Sequence, residues 1–176
     1  MPRPNEQKSD LEKVADIIRD AGGRIVGRTR LQKLAYLLEL SGQGAGFPFE
    51  YRHYGPYSEE LSIAIRNAAL LGLLKEEEHA TTWGGFYSIY TTPTTSDLPS
   101  SSSRYQLAHH AVSADPIQLE LAATAAFLAT EGIADPWEVT EKLKPEKSER
   151  GNLQKAKLLY RQLAQIDTPQ PLPNIK

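Results

Sequence analysis

Two helical stripes with a short aromatic segment between them restrict this chain more than any other feature. Leu31, Leu34, Ala35 and Leu38 recur at i, i+3, i+4 and i+7, and Leu61, Ala64, Ile65, Ala68 and Leu71 repeat the pattern. Each stripe is satisfied only when one face of a helix is buried. Between them, Phe47-Pro48-Phe49-Glu50-Tyr51-Arg52-His53-Tyr54 prefers an extended chain, and Gly55-Pro56 predicts a turn that aims the second helix. Ser58 is placed to cap that helix and Gly72 to stop it.

The flanking sequence extends this frame. Residues 1 to 8 form a polar lead read as irregular, and Ser9-Asp10-Leu11-Glu12 then has the spacing of a capping box. Leu11, Val14, Ala15 and Ile18 give a helix ending near Ala21 at Gly22-Gly23. Thr29 to Gln32 repeats the capping-box spacing for the second helix. After the third helix, Leu73 to Glu78 predicts a strand, His79 to Gly85 a loop, and Phe86 to Thr91 a second strand. Three helices followed by a hairpin is the element order of a winged helix, so residues 9 to 92 are expected to form a winged-helix-like lobe.

Pro93 to Arg104 has too few apolar side chains to offset its ordering entropy and is expected to be a flexible linker. Residues 105 to 168 follow as a wholly helical lobe. Asp115-Pro116 opens a helix whose body, Ile117 to Thr130, is apolar on almost every side, which predicts a central buried helix. Asp135-Pro136 opens a short helix through Leu143. Pro145 interrupts, Ser148-Glu149 can restart, and Leu153, Ala156, Leu159, Tyr160 and Leu163 carry the last stripe to about Ile166. The tail from 169 to 176 is proline-rich and expected to be extended unless a partner or the second lobe holds it. The fold class is thus mainly α with a small β-hairpin (α+β).

Charge and composition narrow the chemistry. With 20 basic against 22 acidic side chains and a pI near 6.1, the chain has no overall basic field to draw phosphate. The absence of cysteine removes disulfides and thiolate chemistry. MPRPNEQKSD lacks the apolar run of a signal peptide, and no apolar stretch is long enough for a bilayer, so a cytoplasmic location without membrane contact is expected.

No catalytic, cofactor or metal site is expected. His53, His79, His109 and His110 have no partner at ligand spacing, and no serine sits in a Gly-x-Ser-x-Gly elbow. Gly42, Gly44 and Gly46 alternate without the strand or the Lys-Ser or Lys-Thr of a phosphate cradle.

A winged helix invites a DNA-binding regulator as the alternative function, and charge opposes it. The third helix opens with Glu59-Glu60 and offers only Arg66 and Asn67 as readers, while the hairpin carries Glu76, Glu77 and Glu78. Basic side chains gather elsewhere: Arg24, Arg28, Arg30 and Lys33 around the second helix's start, and Lys142, Lys144, Lys147, Arg150, Lys155, Lys157 and Arg161 in the last third. Glu141, Glu146 and Glu149 dilute the later group, which is read as a solvated face. Tyr51, Arg52, Tyr54 and Tyr57 are residue types favoured at interface hot spots.

Leu31-Gln32-Lys33-Leu34-Ala35-Tyr36-Leu37, then Tyr54-Gly55-Pro56-Tyr57-Ser58, then a helix ending in Leu71-Gly72-Leu73-Leu74, resembles the SocA-like antitoxin group that carries the Panacea domain. The resemblance covers roughly residues 9 to 92. The chain departs from the group at Tyr57, where a non-aromatic residue is usual, and keeps only Pro136-Trp137 of its C-terminal pattern. The resemblance implies a small, non-catalytic bacterial protein that neutralises a cognate toxin, or serves as an adaptor or accessory subunit in a toxin–antitoxin or anti-phage defence system. Its expected partner surface comprises Arg28, Arg30, Lys33, Tyr51, Arg52, Tyr54 and Tyr57.

Overall fold

A computed structural model describes residues 8–176; the polar lead, as far as residue 7, lies outside the described residues. Helix α1 (Asp10–Asp20) starts as its sequence dictates: the Ser9 hydroxyl accepts the Glu12 N–H at 3.3 Å and the Glu12 carboxylate accepts the Ser9 N–H at 2.8 Å. Strand β1 (Arg24–Val26) follows, too short for any alternation to announce it. Helix α2 (Arg28–Leu40) begins at Gly27, not at the expected Thr29 cap. Gly27 still donates its N–H to Ser88 of the sheet, and its φ of 97° turns the chain directly from strand into helix. Gln32 is therefore free of capping duty and bonds elsewhere.

The aromatic segment forms a two-stranded ribbon, β2 (Glu50–Arg52) and β3 (Gly55–Tyr57), with Arg52 opposite Gly55. The turn expected at Gly55-Pro56 lies instead at His53-Tyr54, and Gly55 and Pro56 belong to the second strand. Helix α3 (Glu59–Leu70) is capped by Ser58, whose hydroxyl accepts the Leu61 N–H at 3.2 Å. Strands β4 (Lys75–Ala80) and β5 (Phe86–Thr91) form the wing, β4 running two residues past the expected end. The sheet order is β1-β5-β4, all antiparallel, with Ile25 opposite Tyr90. Three helices, a hairpin and a short strand joining its inner edge give the winged-helix-like arrangement.

The connection from residue 93 has no helix or strand until α4 (Ser103–Ser113), so the last two residues of the expected linker belong to a helix. Arg104 explains the difference: its guanidinium donates to Asp20 of α1 and to the Gln43 carbonyl. Ser96 also donates its N–H to the Arg19 carbonyl at 3.3 Å. Apolar poverty argued for looseness, and polar anchors hold the segment instead.

Helix α5 (Pro116–Thr130), capped by Asp115, is buried from Leu119 to Ala126, as its all-round apolar character required. Helix α6 (Pro136–Leu143) follows its Asp135 cap. Pro145 opens a single turn, α7 (Pro145–Ser148), and α8 (Asn152–Ala164) starts at Gly151, three residues later than Ser148 would allow. Arg150 (φ 56°) and Gly151 (φ 79°) are both left-handed and break the helix there. One hydrophobic core joins both halves, with Leu34 and Leu38 of α2, Leu107 of α4, Leu121 of α5 and Leu163 of α8 all enclosed. The tail lies against this body: Gln170 donates its N–H to Ser41, Tyr160 donates to the Pro173 carbonyl, and Leu172 is buried. No described helix is long and apolar enough to cross a membrane.

Candidate functional site

The β2–β3 ribbon is fixed from below by side chains of α2 and α5. Lys33, only 1% exposed, donates from Nζ to the Pro56 carbonyl at 2.7 Å. Gln32 bonds Ser58 twice, donating Nε2 to its carbonyl at 3.0 Å and accepting its N–H at 2.9 Å. Gly55 presses on α5, where an added Cβ would stand 2.6 Å from the buried Thr124 Oγ1, and its φ is +88°. Thus Lys33, Gly55, Pro56 and Ser58, the residues carrying the family resemblance, meet as an internal lock. Lys33 was expected on the partner surface; burial places it in the interior, where it positions the ribbon.

A second layer of charge lies beside this lock. The buried Glu120 carboxylate accepts from Lys144 Nζ at 2.7 Å and from Lys147 Nζ at 2.8 Å, and Lys144 also donates to the His53 carbonyl at 3.1 Å. Burial pushes the Lys33 ammonium down from its ordinary range to about 7, against the opposing pull of Glu120. Two further cations sharing one carboxylate make the neutral form of Lys33 easier to keep.

Above the ribbon opens a cleft of about 820 Å³, walled by the first turn of α2, the tip of the ribbon and the wing. It brings together Arg28, Arg30, Tyr54 and Tyr57, with Lys33 beneath them. Arg28 is exposed, donating from Nε to the Tyr90 hydroxyl at 3.5 Å with Nη2 3.7 Å from Glu76. Arg30 ties the helix down instead, donating to the Ala114 carbonyl at 3.0 and 3.2 Å and to the Val26 carbonyl at 3.1 Å. Its charge meets no carboxylate among the described residues.

Tyr51 and Arg52 stand outside the cleft. Tyr51 packs on Phe127, ring centres 5.9 Å apart, and Arg52 lies over the Tyr57 ring while pairing with Glu50 and Glu59. Tyr54 carries Lys147 over its ring at 4.8 Å.

Sequence reasoning missed the cleft's third wall. Trp83 is 85% exposed and Phe86 70%, with Tyr87 beside them stacked on His79 at 5.5 Å. A signal was present: Trp83 lies in the predicted loop and Phe86 opens the predicted strand, on either side of Gly84-Gly85, where a hairpin tip leaves large side chains little to pack against. Glu120 was also missed, because its partners lie 24 and 27 residues away. Chemically, the cleft offers aromatic faces and guanidinium donors, which suit binding through stacking, burial and charge. Among the described residues no group of three or more metal-ligating side chains comes together.

No family model matches this chain. It is similar to "Uncharacterized protein YwgA" of Bacillus subtilis (strain 168), with 38% identity over 69 residues. The matched segment is 37% of this chain and 38% of that protein, well under two thirds of the relative's length.

Proposed function

We propose that the chain is a non-catalytic protein-interaction module, an antitoxin-like or adaptor subunit of a bacterial toxin–antitoxin or anti-phage defence system, acting inside the cell. The observation that carries the reading is the exposure of Trp83 and Phe86 beside Arg28 and the ribbon tyrosines in one concave surface. Large aromatic side chains and arginine in a concave patch are what protein interfaces use as anchors. The resemblance over residues 9 to 92 supplies the class of partner.

The test is co-expression with the neighbouring genes and purification of the tagged chain with its partner. A stoichiometric protein is expected to survive nuclease, and Trp83→Ala with Phe86→Ala is expected to weaken its binding by at least about 30-fold, the hot-spot range of 2 kcal/mol or more. A complex of unchanged affinity in that double variant overturns the cleft as the partner surface, and recovery of no stoichiometric protein overturns the module.

A DNA-binding regulator is the second reading, favoured by the β1-β5-β4 sheet beside three helices. The outer face of α3 argues against it: Glu59 and Glu60 are exposed, and so are Ile63, Leu70 and, just past its end, Leu71. Steeply salt-dependent binding to duplex DNA, removed by Arg66→Glu, would put that reading first.

A further inference from the structure

The structure divides the basic residues of the last third into two groups that the sequence could not separate. Lys142 pairs with Glu138, and Lys144 and Lys147 with Glu120. Arg150, Lys155, Lys157 and Arg161 form no ion pair among the described residues, and α8 itself contains no acidic residue. Helical spacing sets Lys157 and Arg161 along one border of its outer face, with Lys155 and Gln162 along the other. Between those borders stands Leu158, 53% exposed, at the mouth of a groove of about 350 Å³ formed with His110, Asp115 and Gln118.

We propose that this face of α8 docks an acidic amphipathic helix of a protein partner. The partner's carboxylates meet Lys157 and Arg161 on one side and Lys155 on the other, and an apolar side chain seats beside Leu158 in the groove. Charge complementarity selects this occupant: three helix cations and Arg150 stand unneutralised in a chain whose net charge is -2. An apolar centre bordered by charge is the pattern of helix-in-groove recognition. A nucleic acid fits less well, because a phosphate backbone extending past the four cations meets the exposed carboxylates of Glu146 and Glu149, whereas a short helix ends within the basic face. Asp115 at the groove is occupied in capping α5 through the Ile117 and Gln118 N–H groups. The proposal uses a surface separate from the wing cleft and stands independently of it.

The experiment titrates the full chain with a fluorescently labelled synthetic helix bearing glutamates beside a leucine stripe, with a short DNA duplex as the second probe. Saturable binding to the peptide is expected, weakening at least about tenfold as salt rises from roughly 50 to 300 mM. Lys157→Glu with Arg161→Glu is expected to cost at least a further tenfold, about 1.4 kcal/mol. Lys142→Glu, at an amine that Glu138 already occupies, is expected to leave the affinity within about twofold. Circular dichroism checks that both variants stay folded. The proposal is overturned by absence of saturable binding at low salt, or by binding that ignores the reversal at 157 and 161. It is equally overturned if the duplex binds more tightly than the peptide and is lost in that variant, or if those charges instead drive the chain to associate with itself.

Discussion

The β2–β3 ribbon and the β4–β5 wing are both antiparallel hairpins rich in aromatic side chains, and they put their residues to opposite uses. In the ribbon, the backbone is gripped from inside: Pro56 and His53 present carbonyls to Lys33 and Lys144, and Gly55 lies against Thr124. In the wing, the backbone is held on the side of β1, where Gly27 donates its N–H to the Ser88 carbonyl, while Trp83 and Phe86 at its far end face outward. A short signature of Lys, Gly and Pro can therefore mark an internal lock, and the surface it supports can be made by residues outside the signature.

Placing the same substitution in both hairpins gives the largest contrast. Gly55→Ala adds a Cβ 2.6 Å from Thr124 Oγ1 at a φ of +88°, so left-handed strain of about 1–2 kcal/mol is joined by an overpacking cost of about 1–3 kcal/mol. Gly84→Ala, at φ +91° with open space around it, incurs only the strain. Denaturant unfolding is expected to place the first variant well below the second. Equal losses would mean that Thr124 yields and that the ribbon is not locked on α5.

Glu120→Ala tests the charge beneath the ribbon. It leaves Lys144 buried and Lys147 half-buried without their carboxylate, at a cost of about 3–5 kcal/mol, as for breaking other buried ion pairs. Adding Lys144→Met to that variant is expected to recover part of the loss, because the stranded charge leaves with it. A stability unchanged by Glu120→Ala, measured by thermal or denaturant unfolding, would show the cluster to be solvated.

Local chemistry was legible and distant chemistry was not. Ser9 with Glu12, and Asp115 with Pro116, announced their helices because cap and helix are neighbours in sequence. Thr29 to Gln32 carried the same spacing and misled, since Gln32 is claimed by Ser58, 26 residues away. Strand β1 exists because β5 offers it partners, and three residues cannot display a period. Glu120 sat unremarked in a helix that read as apolar, and its meaning depends on Lys144, between α6 and α7, and Lys147 of α7. Of the candidate site, Arg28, Arg30, Tyr54 and Tyr57 were found by residue type, whereas Lys33, basic like the two arginines, is enclosed, a distinction only packing makes.

Lys33 ties the lock to pH. Its ordinary pKa of 10.5 falls to about 7 in the folded chain, so between those values the unfolded chain takes a proton that the folded chain refuses. Stability from this group is therefore greatest above pH 10.5, declines as pH falls, and is lost by about 7. Lys33→Met has no such proton. The stability of the natural chain relative to the variant is expected to drop by about 2–3 kcal/mol on going from pH 9.5 to 7.5, at 1.36 kcal/mol per unit. A difference independent of pH, measured by unfolding at each pH, would show that Lys33 stays charged in the folded chain.

Arg52→Ala is expected to give the smallest effect and bears most directly on the contrast between the hairpins. Arg52 lies outside the cleft, exposed, with its guanidinium over Tyr57 and its ion pairs to Glu50 and Glu59 open to water. Exposed pairs of this kind are weak and screened by salt, so the melting temperature is expected to stay within error of the natural chain. As a charge at the rim it should alter partner affinity by no more than about two- to threefold, chiefly through the association rate. Calorimetry on the purified complex, with Trp83→Ala measured alongside, decides the matter. Trp83→Ala should be far the more damaging, because its ring is the most exposed large apolar group on the wing. If Arg52→Ala proves the costlier of the two, the partner sits on the outer face of the ribbon and not in the cleft behind it.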